Sequence, residues 1–311
     1  MKPREYKVAC LAGEGIGPEL MAEASRALGA VSRLHGFEIE QEHVPFGREA
    51  LSRSGHRLPT STRAACGRAD AVLTATTHES ALDGVRADLD LRAQVTRVAA
   101  PDVDVAVVGE LGADSDAWAV DRVFRMAHAR RARLVSVGLS EGWTAFVAAV
   151  AEEHSGVLAE PLPLADALLG LSLDPGRFDL VLAESQLSDA LVQAAAGSNG
   201  RTRFVATGQL SERAPGLFGP SHGRALDIAG QGVANPSEML LAVALLLAEG
   251  LGERAAARTL EAGLEAAFNA GVRTPDMVRQ GAASTTREFV DVLLGLLPSA
   301  RTDVEFAEVR S

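Results

Sequence analysis

Short, nearly continuous apolar runs alternate with longer stretches of helical periodicity along the chain, and this alternation limits the fold more than any other feature. The runs lie at 6–11, 69–76, 103–111, 133–139 and 178–184. A strand that is apolar at nearly every position needs cover on both faces, as in a parallel sheet flanked by helices. We therefore predict an α/β fold.

Two helices stand out between the strands. The first is predicted to begin at Pro18 and to end near His35, with apolar residues every three or four positions on one face. The second follows Pro236 and carries the apolar run 239–248. Because that run is apolar on all sides, we expect it in the core of a large domain or at a subunit interface.

Composition excludes several classes of function. The run 239–248 is half of the roughly 20 residues that a membrane span needs, and the N-terminal segment carries no apolar stretch typical of a secretion signal. A formal net charge of −11 argues against nucleic-acid binding and gives no case for a membrane surface. Cys10 and Cys66 form neither a metal motif nor a disulfide framework, so we expect a cytoplasmic protein.

The scarcity of two residue types restricts the chemistry. Lysine occurs only at Lys2 and Lys7, and tyrosine only at Tyr6. A lysine base, a Schiff base or a tyrosine acid must therefore come from the first seven residues or be absent.

Two glycine-rich segments lie where ligands are often bound. The first, LAGEGIGPE at 11–19, follows a predicted strand and opens a helix, but Pro18 occupies the position of the third glycine in a Rossmann motif. The second, HGRALDIAGQGVANP at 222–236, is a long irregular segment that ends where a buried helix begins. Long irregular loops in compact enzymes are usually functional. A tight turn without a ligand remains open as an interpretation of the first segment.

Together with the segment TTREFVDVLL at 285–294, these motifs resemble the isocitrate/isopropylmalate dehydrogenase family, the metal-dependent β-hydroxyacid oxidative decarboxylases. The resemblance implies an isopropylmalate dehydrogenase-like two-domain α/β fold. We expect a large, NAD-binding domain at 1–91 and 201–311, and a smaller inserted domain at 92–200. It also implies an active site between the domains, a small-molecule substrate and a homodimer formed through the smaller domain.

The cofactor half of the family's site matches well. The residues on cofactor-binding positions are Gly13, Gly15, Ile16, His222, Gly223, Ala225, Asp227, Ile228 and Asn235. Asp227 can accept a hydrogen bond from a free ribose 2′-hydroxyl but repels a 2′-phosphate, so the resemblance implies NAD rather than NADP. One departure is Gly219, where the family has a glutamate near the nicotinamide ribose. The alternative is that the loop persists because it packs the domain.

The substrate half matches poorly. Ser80 and Arg86 fall on family positions, whereas Leu82 and Thr96 replace an asparagine and the second of three substrate arginines. Arg97 lies one position out of register and could substitute only if the backbone shifts.

The remaining substrate and proton-transfer positions are also changed. Gly109 stands where the family has its third arginine, Asp116 where it has the tyrosine, and Leu139 where it has the lysine. No realignment restores the lysine, because the sequence has none beyond Lys7.

The metal site is reduced in the same way. Of the helix carboxylates that hold magnesium or manganese in the family, Asp189 is kept and the second is Gln193. Asp166 matches the partner subunit's carboxylate only with a one-residue gap. Two carboxylates make a poor octahedral oxygen site, so a magnesium or manganese cofactor is not expected to bind as in the family.

Three hypotheses follow. The chain is an NAD-dependent oxidoreductase repurposed for a less anionic substrate, a non-catalytic NAD-binding or regulatory subunit beside an intact paralogue, or an enzyme that uses the NAD pocket for non-redox chemistry. The positions left for catalysis are His78, Ser80, Arg86 and Asp189. His78 and Glu79 could form a general base with its orienting partner, or an exposed loop pair without function.

Overall fold

The computed structural model describes residues 3–76, 79–100, 103–112, 116–197, 204–213 and 215–298. The chain divides into two units, Met1–Asp88 with Pro215–Ser311, and Leu89–Ala214. The strands are β1 Arg4–Leu11, β2 Phe37–His43, β3 Ala71–Thr74, β4 Leu91–Ala100, β5 Val103–Glu110, β6 Arg133–Val137, β7 Leu158–Pro161, β8 Leu180–Ala183, β9 Phe204–Ser211 and β10 Gly216–Pro220. The helices are α1 Gly17–Leu34, α2 Gly47–Ser54, α3 Thr60–Arg68, α4 Ala81–Asp88, α5 Ala117–Ala129, α6 Glu141–Ala151, α7 Leu164–Leu173, α8 Ser188–Ala196, α9 Ser237–Leu245, α10 Arg254–Asn269 and α11 Thr286–Leu296.

The first unit combines the two ends of the chain around parallel strands in the order β2-β1-β3-β10. Every residue of β3 and β10 is buried, as are the last four residues of β1. The sheet is therefore covered on both faces, and the α/β prediction is confirmed. The carboxyl ends of β1 and β3 lead directly into the segments that carry the candidate site.

Helix α9 lies in the core of the first unit. Its residues from Met239 to Leu245 are all buried, and it packs against α1, α10 and β10. A turn of π-helix continues it over Leu246–Gly250. The unit's own elements cover this apolar helix, so of its two predicted settings the domain core is the one found.

The second unit is a mixed sheet in the order β9-β4-β5-β8-β6-β7. Strand β4 is antiparallel to both β9 and β5, and the remaining pairs are parallel. Because β9 pairs with β4 along most of its length, the unit extends to Ala214 rather than ending at the expected position 200. Its core includes valines of β5, Val181 and Ala183 of β8, and apolar residues of α7 and α8.

No helix within the described part of the chain is both long enough and apolar enough to cross a lipid bilayer.

Candidate functional site

The glycine-rich turn before α1 is in direct contact with the loop 222–236. The Ile16 amide donates a hydrogen bond to the carbonyl oxygen of Arg224 at 3.0 Å. Gly15 has a φ of +65°, and a Cβ atom at this position would lie 1.8 Å from the same oxygen. Only glycine allows this approach, because the left-handed φ and the close carbonyl both exclude a side chain.

Helices α1 and α11 hold the same loop from its other side. The Glu19 carboxylate accepts a hydrogen bond from the Gly232 amide at 3.1 Å. The Thr286 amide donates to the Gly232 carbonyl at 2.8 Å, and the Thr286 hydroxyl donates to the Ala234 carbonyl at 2.7 Å. The three segments that carried the family resemblance are therefore in direct contact, and the other two are hydrogen-bonded to the loop 222–236.

Part of the loop has the features of a ligand site. Ala225 has a φ of +37°, which is strained for a residue with a side chain. The His222 amide donates to Glu238 at 3.0 Å, while the His222 Nε2 atom is buried without a hydrogen-bond partner. A side chain at Gly223 would meet nothing within 4 Å. A buried nitrogen without a partner beside open space suits a polar ligand, since buried polar groups are normally paired.

The loop around Asp227 is exposed to solvent. Asp227 is exposed, and Leu226 next to it is 55% exposed despite being apolar. Ile228 is half-buried. The Asn235 amide group instead has a structural role, because it donates to Asp276 at 2.9 Å and accepts from the Ser237 amide at the start of α9.

Beside the glycine turn, two buried glutamates share one arginine. Arg57 Nη1 lies 2.7 Å from Glu14 Oε1 and 3.0 Å from Glu79 Oε1. Glu14 Oε2 also lies 3.3 Å from Arg224 Nη1 and 3.7 Å from Arg48 Nε. The cluster of Glu14, Glu79, Arg48, Arg57 and Arg224 is named the glutamate–arginine cluster below. Sequence reasoning singled out only Glu79 of these residues, and its neighbour His78 lies outside the described residues.

The two glutamates of this cluster titrate differently. Burial raises the pKa of Glu14, but the Arg57 hydrogen bond and the charges of Arg48, Arg57 and Arg224 outweigh it, so the pKa lies below its usual value. Burial and the negative charge of Glu14 raise the pKa of Glu79, and Arg57 does not offset them. Two carboxyl groups whose pKa values are pushed apart are a common arrangement for acid–base chemistry.

The predicted substrate residues of the first unit lie just before α4 (Ser80) and in its last turn (Arg86). Ser80 is exposed, and Arg86 forms an ion pair with Asp83 at 2.8 Å within the helix. Leu82, which was expected on an asparagine position of the family, is fully buried. It therefore belongs to the hydrophobic core.

In the second unit, Arg97 does not stand in for the missing arginine. Its Nε atom lies 2.7 Å from Asp104 Oδ1 on the neighbouring strand, and its side chain is largely buried. Asp104 also contacts Arg130, which binds the buried Asp179 at 2.7 Å. These ion pairs tie β4, β5 and the segment before β8 together. The out-of-register arginine is thus part of a structural network.

The described lysine and tyrosine have structural partners. The Tyr6 hydroxyl donates to Glu253 at 2.7 Å, and Lys7 pairs with Glu40 at 3.1 Å. Leu139, on the family's lysine position, is 67% exposed. Neither residue type is therefore available for proton transfer in the described part of the chain.

The donor set does not fit the family's divalent metal. Asp189 and Asp166 are both exposed, and the position one turn after Asp189 on α8 carries Gln193. Across the described ranges, no three His, Cys, Asp or Glu side chains come together in a way that could hold a metal ion. A magnesium site needs several oxygen ligands in octahedral geometry. We derive no chemistry through a metal.

A second acidic group lies at the carboxyl ends of β5 and β8. Glu110 is buried at the end of β5 and accepts a hydrogen bond from the Asp116 amide at 2.6 Å. Glu184, just after β8, accepts from the Leu139 amide at 2.7 Å. Burial, together with the charges of Asp116 and Glu184, raises the pKa of Glu110 to about 7. The sequence analysis placed Glu110 inside the predicted strand 103–111 and did not single it out as a candidate functional residue.

Replacing Glu110 with glutamine should change how stability depends on pH. The folded pKa of about 7 exceeds the ordinary value of 4.5, so between these values the unfolded chain binds fewer protons. The free energy of unfolding of the wild type should fall as pH rises through this window, by up to about 3 kcal/mol from this group.

Urea denaturation between about pH 5 and pH 8 measures this slope. Glu110→Gln should remove that part of the decline, while Glu153→Gln at an exposed position should keep it. Equal slopes in wild type and Glu110→Gln would show that Glu110 ionises normally.

Comparisons with known proteins agree with this structure. A sequence model described as isocitrate/isopropylmalate dehydrogenase matches residues 7–96 and 120–293. The 3-isopropylmalate dehydrogenase of Synechococcus sp. (strain CC9605) is 33% identical, with 89% of this chain and 95% of that protein covered. The enzyme of the same name from Salinibacter ruber (strain DSM 13855 / M31) is 34% identical, with 88% and 90% covered.

Solved structures share the fold. The crystal structure of a beta-decarboxylating dehydrogenase from Thermococcus kodakarensis, in its apo form, has a TM-score of 0.78 at 25% identity and covers 93% of this chain and 95% of that chain. Isocitrate dehydrogenase from Methylococcus capsulatus has a TM-score of 0.75 at 22% identity, with 93% and 98% covered, which shows the fold alone. Fold and sequence matches together place the chain in a family of dehydrogenases, within the oxidoreductase class. The chain belongs to the isocitrate/isopropylmalate dehydrogenase family.

Proposed function

We propose that the protein is an NAD-dependent oxidoreductase that acts on a hydroxy substrate less anionic than isopropylmalate or isocitrate. The main support for this proposal is the anchoring of the loop 222–236 by the turn before α1 and by α11, together with the exposure of Asp227 in the same loop. Bound NAD would supply a hydride acceptor. The chain's own residues would hold its adenosine through Asp227, Ile228 and the buried ring nitrogen of His222.

The substrate positions support a changed reaction. The family match is interrupted over 97–119, the segment that includes Gly109 and Asp116. Leu82 is buried, and Arg97 is engaged with Asp104. Of the groups that bind carboxylates in the family, Arg86 is the one left, so a substrate with fewer negative charges fits better.

A non-catalytic NAD-binding or regulatory subunit beside an intact paralogue is the second proposal. It is favoured by the partners of Tyr6 and Lys7 and by the incomplete metal donor set. Calorimetric titration with NAD, followed by a screen of hydroxy metabolites for NADH formation, separates the two. NAD binding with turnover supports the oxidoreductase, and NAD binding with no turnover supports the subunit. No binding at millimolar concentration would contradict both.

NAD should bind more tightly than NADP by at least about tenfold, because the Asp227 carboxylate repels a 2′-phosphate and accepts a bond from a 2′-hydroxyl. Calorimetry with both dinucleotides measures the ratio. Asp227→Asn should narrow it, since the amide carries no charge. A wild type without preference would contradict the proposed role of Asp227.

We also propose a homodimer formed through the second unit, and a reducing cytoplasm as its compartment. Both Cys10 and Cys66 are free thiols. Three leucines of the second unit, Leu158, Leu169 and Leu173, are 63%, 59% and 65% exposed. Leu169 and Leu173 lie one turn apart on α7, and exposed apolar residues of this size side by side favour a protein interface.

Light scattering should give about twice the chain mass of 32.4 kDa. Leu169→Glu with Leu173→Glu, on one face of α7, should shift the protein toward the monomer, because charges would be buried in the interface. Leu296→Glu, at a 45% exposed leucine of α11 in the first unit, is the control. A wild type that is monomeric at all concentrations would rule the dimer out.

A further inference from the structure

The Glu79 carboxyl group occupies a space that Gly47 leaves open. A Cβ atom at Gly47 would lie 2.8 Å from both carboxyl oxygens of Glu79. Gly47 has a left-handed φ angle of +66°. The Glu79 side chain is only 2% exposed. The chain therefore keeps a buried, sterically defined position for this one carboxyl group.

The two oxygens of Glu79 have different surroundings. Oε1 accepts a hydrogen bond from Arg57 at 3.0 Å, whereas Oε2 is buried and has no partner. An ionised oxygen that is buried and unpaired is costly. A proton on Oε2, or a hydroxyl group of a bound molecule that donates to it, would remove that cost.

The rest of the glutamate–arginine cluster favours a mobile proton on Glu79. Arg48, Arg57 and Arg224 all contact Glu14, while Glu79 has only a share of Arg57. Glu14 therefore stays ionised, and its negative charge disfavours a second ionised carboxylate beside it. The charged groups that face Glu79 are Glu14, Arg57 and, at longer range, Arg224.

We propose that Glu79 exchanges a proton with the substrate in this chain, in place of the family's lysine and tyrosine. This inference rests on the proposed NAD-dependent oxidation. The substrate's O–H bond breaks and its proton moves to Glu79 Oε2, while the adjacent C–H bond breaks and its hydride passes to NAD, which leaves a C=O group. Arg57 holds Oε1 in place, and the proton then leaves Glu79 for water.

The first experiment follows proton release when NAD+ or NADH binds to the full-length protein, by calorimetry in two buffers of different ionisation enthalpy. The positive nicotinamide ring of NAD+ should favour ionised Glu79, so NAD+ binding should release protons and NADH binding should not. Glu79→Gln should abolish the release, and Glu14→Gln should shift it to lower pH because the neighbouring charge is gone. Glu49→Gln, an exposed residue of α2, is the control and should behave as wild type.

The second experiment is the pH profile of NADH formation with any hydroxy compound found active in the metabolite screen. The rate should rise with pH as Glu79 ionises. Glu79→Gln should remove this rise and lower kcat by about 10² to 10⁴. Glu14→Gln should move the rise to lower pH.

The results separate the two proposals. If neither NAD+ nor NADH binds, the proposed function fails and the role of Glu79 fails with it. If NAD+ binds and the proton release is unchanged in Glu79→Gln, the role of Glu79 is overturned while NAD binding stands. Turnover with an unchanged pH profile in Glu79→Gln would overturn it in the same way.

Discussion

Neither isopropylmalate nor isocitrate should support NADH formation by this protein at more than a trace of the rate of an intact family enzyme, with magnesium or manganese. The motif resemblance implies that Leu139 and Asp116 stand on the family's lysine and tyrosine positions, and groups of this kind each contribute about 10² to 10⁴ to the rate. Tyr6 and Lys7 are held by Glu253 and Glu40, so these two residues do not supply the missing lysine and tyrosine.

The resemblance also implies that Thr96 and Gly109 stand on two of the family's substrate-arginine positions. The substrate carboxylates would then lack charged partners there, at about 1.5 to 3 kcal/mol for each hydrogen bond. The effects need not add, since residues that act as a unit are non-additive. The measurement is NADH absorbance with each acid and each metal, with a family enzyme as control. A rate within about tenfold of that control would show that the family positions have been assigned to the wrong residues.

Gly15→Ala should destabilise the first unit and abolish NAD binding. The new Cβ would lie 1.8 Å from the Arg224 carbonyl oxygen, and the residue would be held at a φ of +65°. The left-handed backbone costs about 1 to 2 kcal/mol, and forcing apart two packed segments costs about 1 to 3 kcal/mol more. We therefore expect a loss of about 2 to 5 kcal/mol in the free energy of unfolding.

Gly36→Ala separates the two causes. Gly36 also has a left-handed φ, +70°, but a Cβ there meets nothing within 4 Å. In Gly36→Ala the free energy of unfolding should fall only by the backbone cost of about 1 to 2 kcal/mol, and the variant should bind NAD as wild type does. Urea denaturation and calorimetry test both variants. Equal losses of unfolding free energy in Gly15→Ala and Gly36→Ala would show that a side chain at position 15 does not disturb the contact with Arg224.

The sequence predicted β1, β3, β5, β6 and β8, because each contains a nearly continuous apolar run. It did not predict β2, β4, β7 and β9, in which polar and apolar residues mix, or the short, glycine-containing β10, although every residue of β10 is buried. In β9, for example, every second residue is buried and those between are half-buried. Such strands become evident only once their pairing is known. The setting of α9 was also undecided, since an all-round apolar helix suits a core and a subunit interface equally well.

For the site, sequence reasoning found segments but not partners. Sequence analysis identified the motif at 11–19, the loop 222–236 and the C-terminal motif separately. Their direct contact is evident only in the folded structure. Glu14, Arg57 and Glu79 come from three separate segments, and no spacing links them. Arg97 was considered for substrate binding because it lies one position out of register with the family's arginine. Its ion pair with Asp104, which lies opposite Ala99 on the neighbouring strand, depends on a strand pairing that the sequence does not reveal.

The anchoring of the loop 222–236 affects how a motif of this kind should be interpreted. The groups that fix it, Glu19, Gly15 and Thr286, belong to helices and turns that the first unit needs in order to fold. Selection for stability alone could therefore preserve most of the motif in a descendant that no longer catalyses anything. Asp227 and Leu226 are exposed and outside these anchors, so their side chains are the better indicators of whether a dinucleotide is still bound.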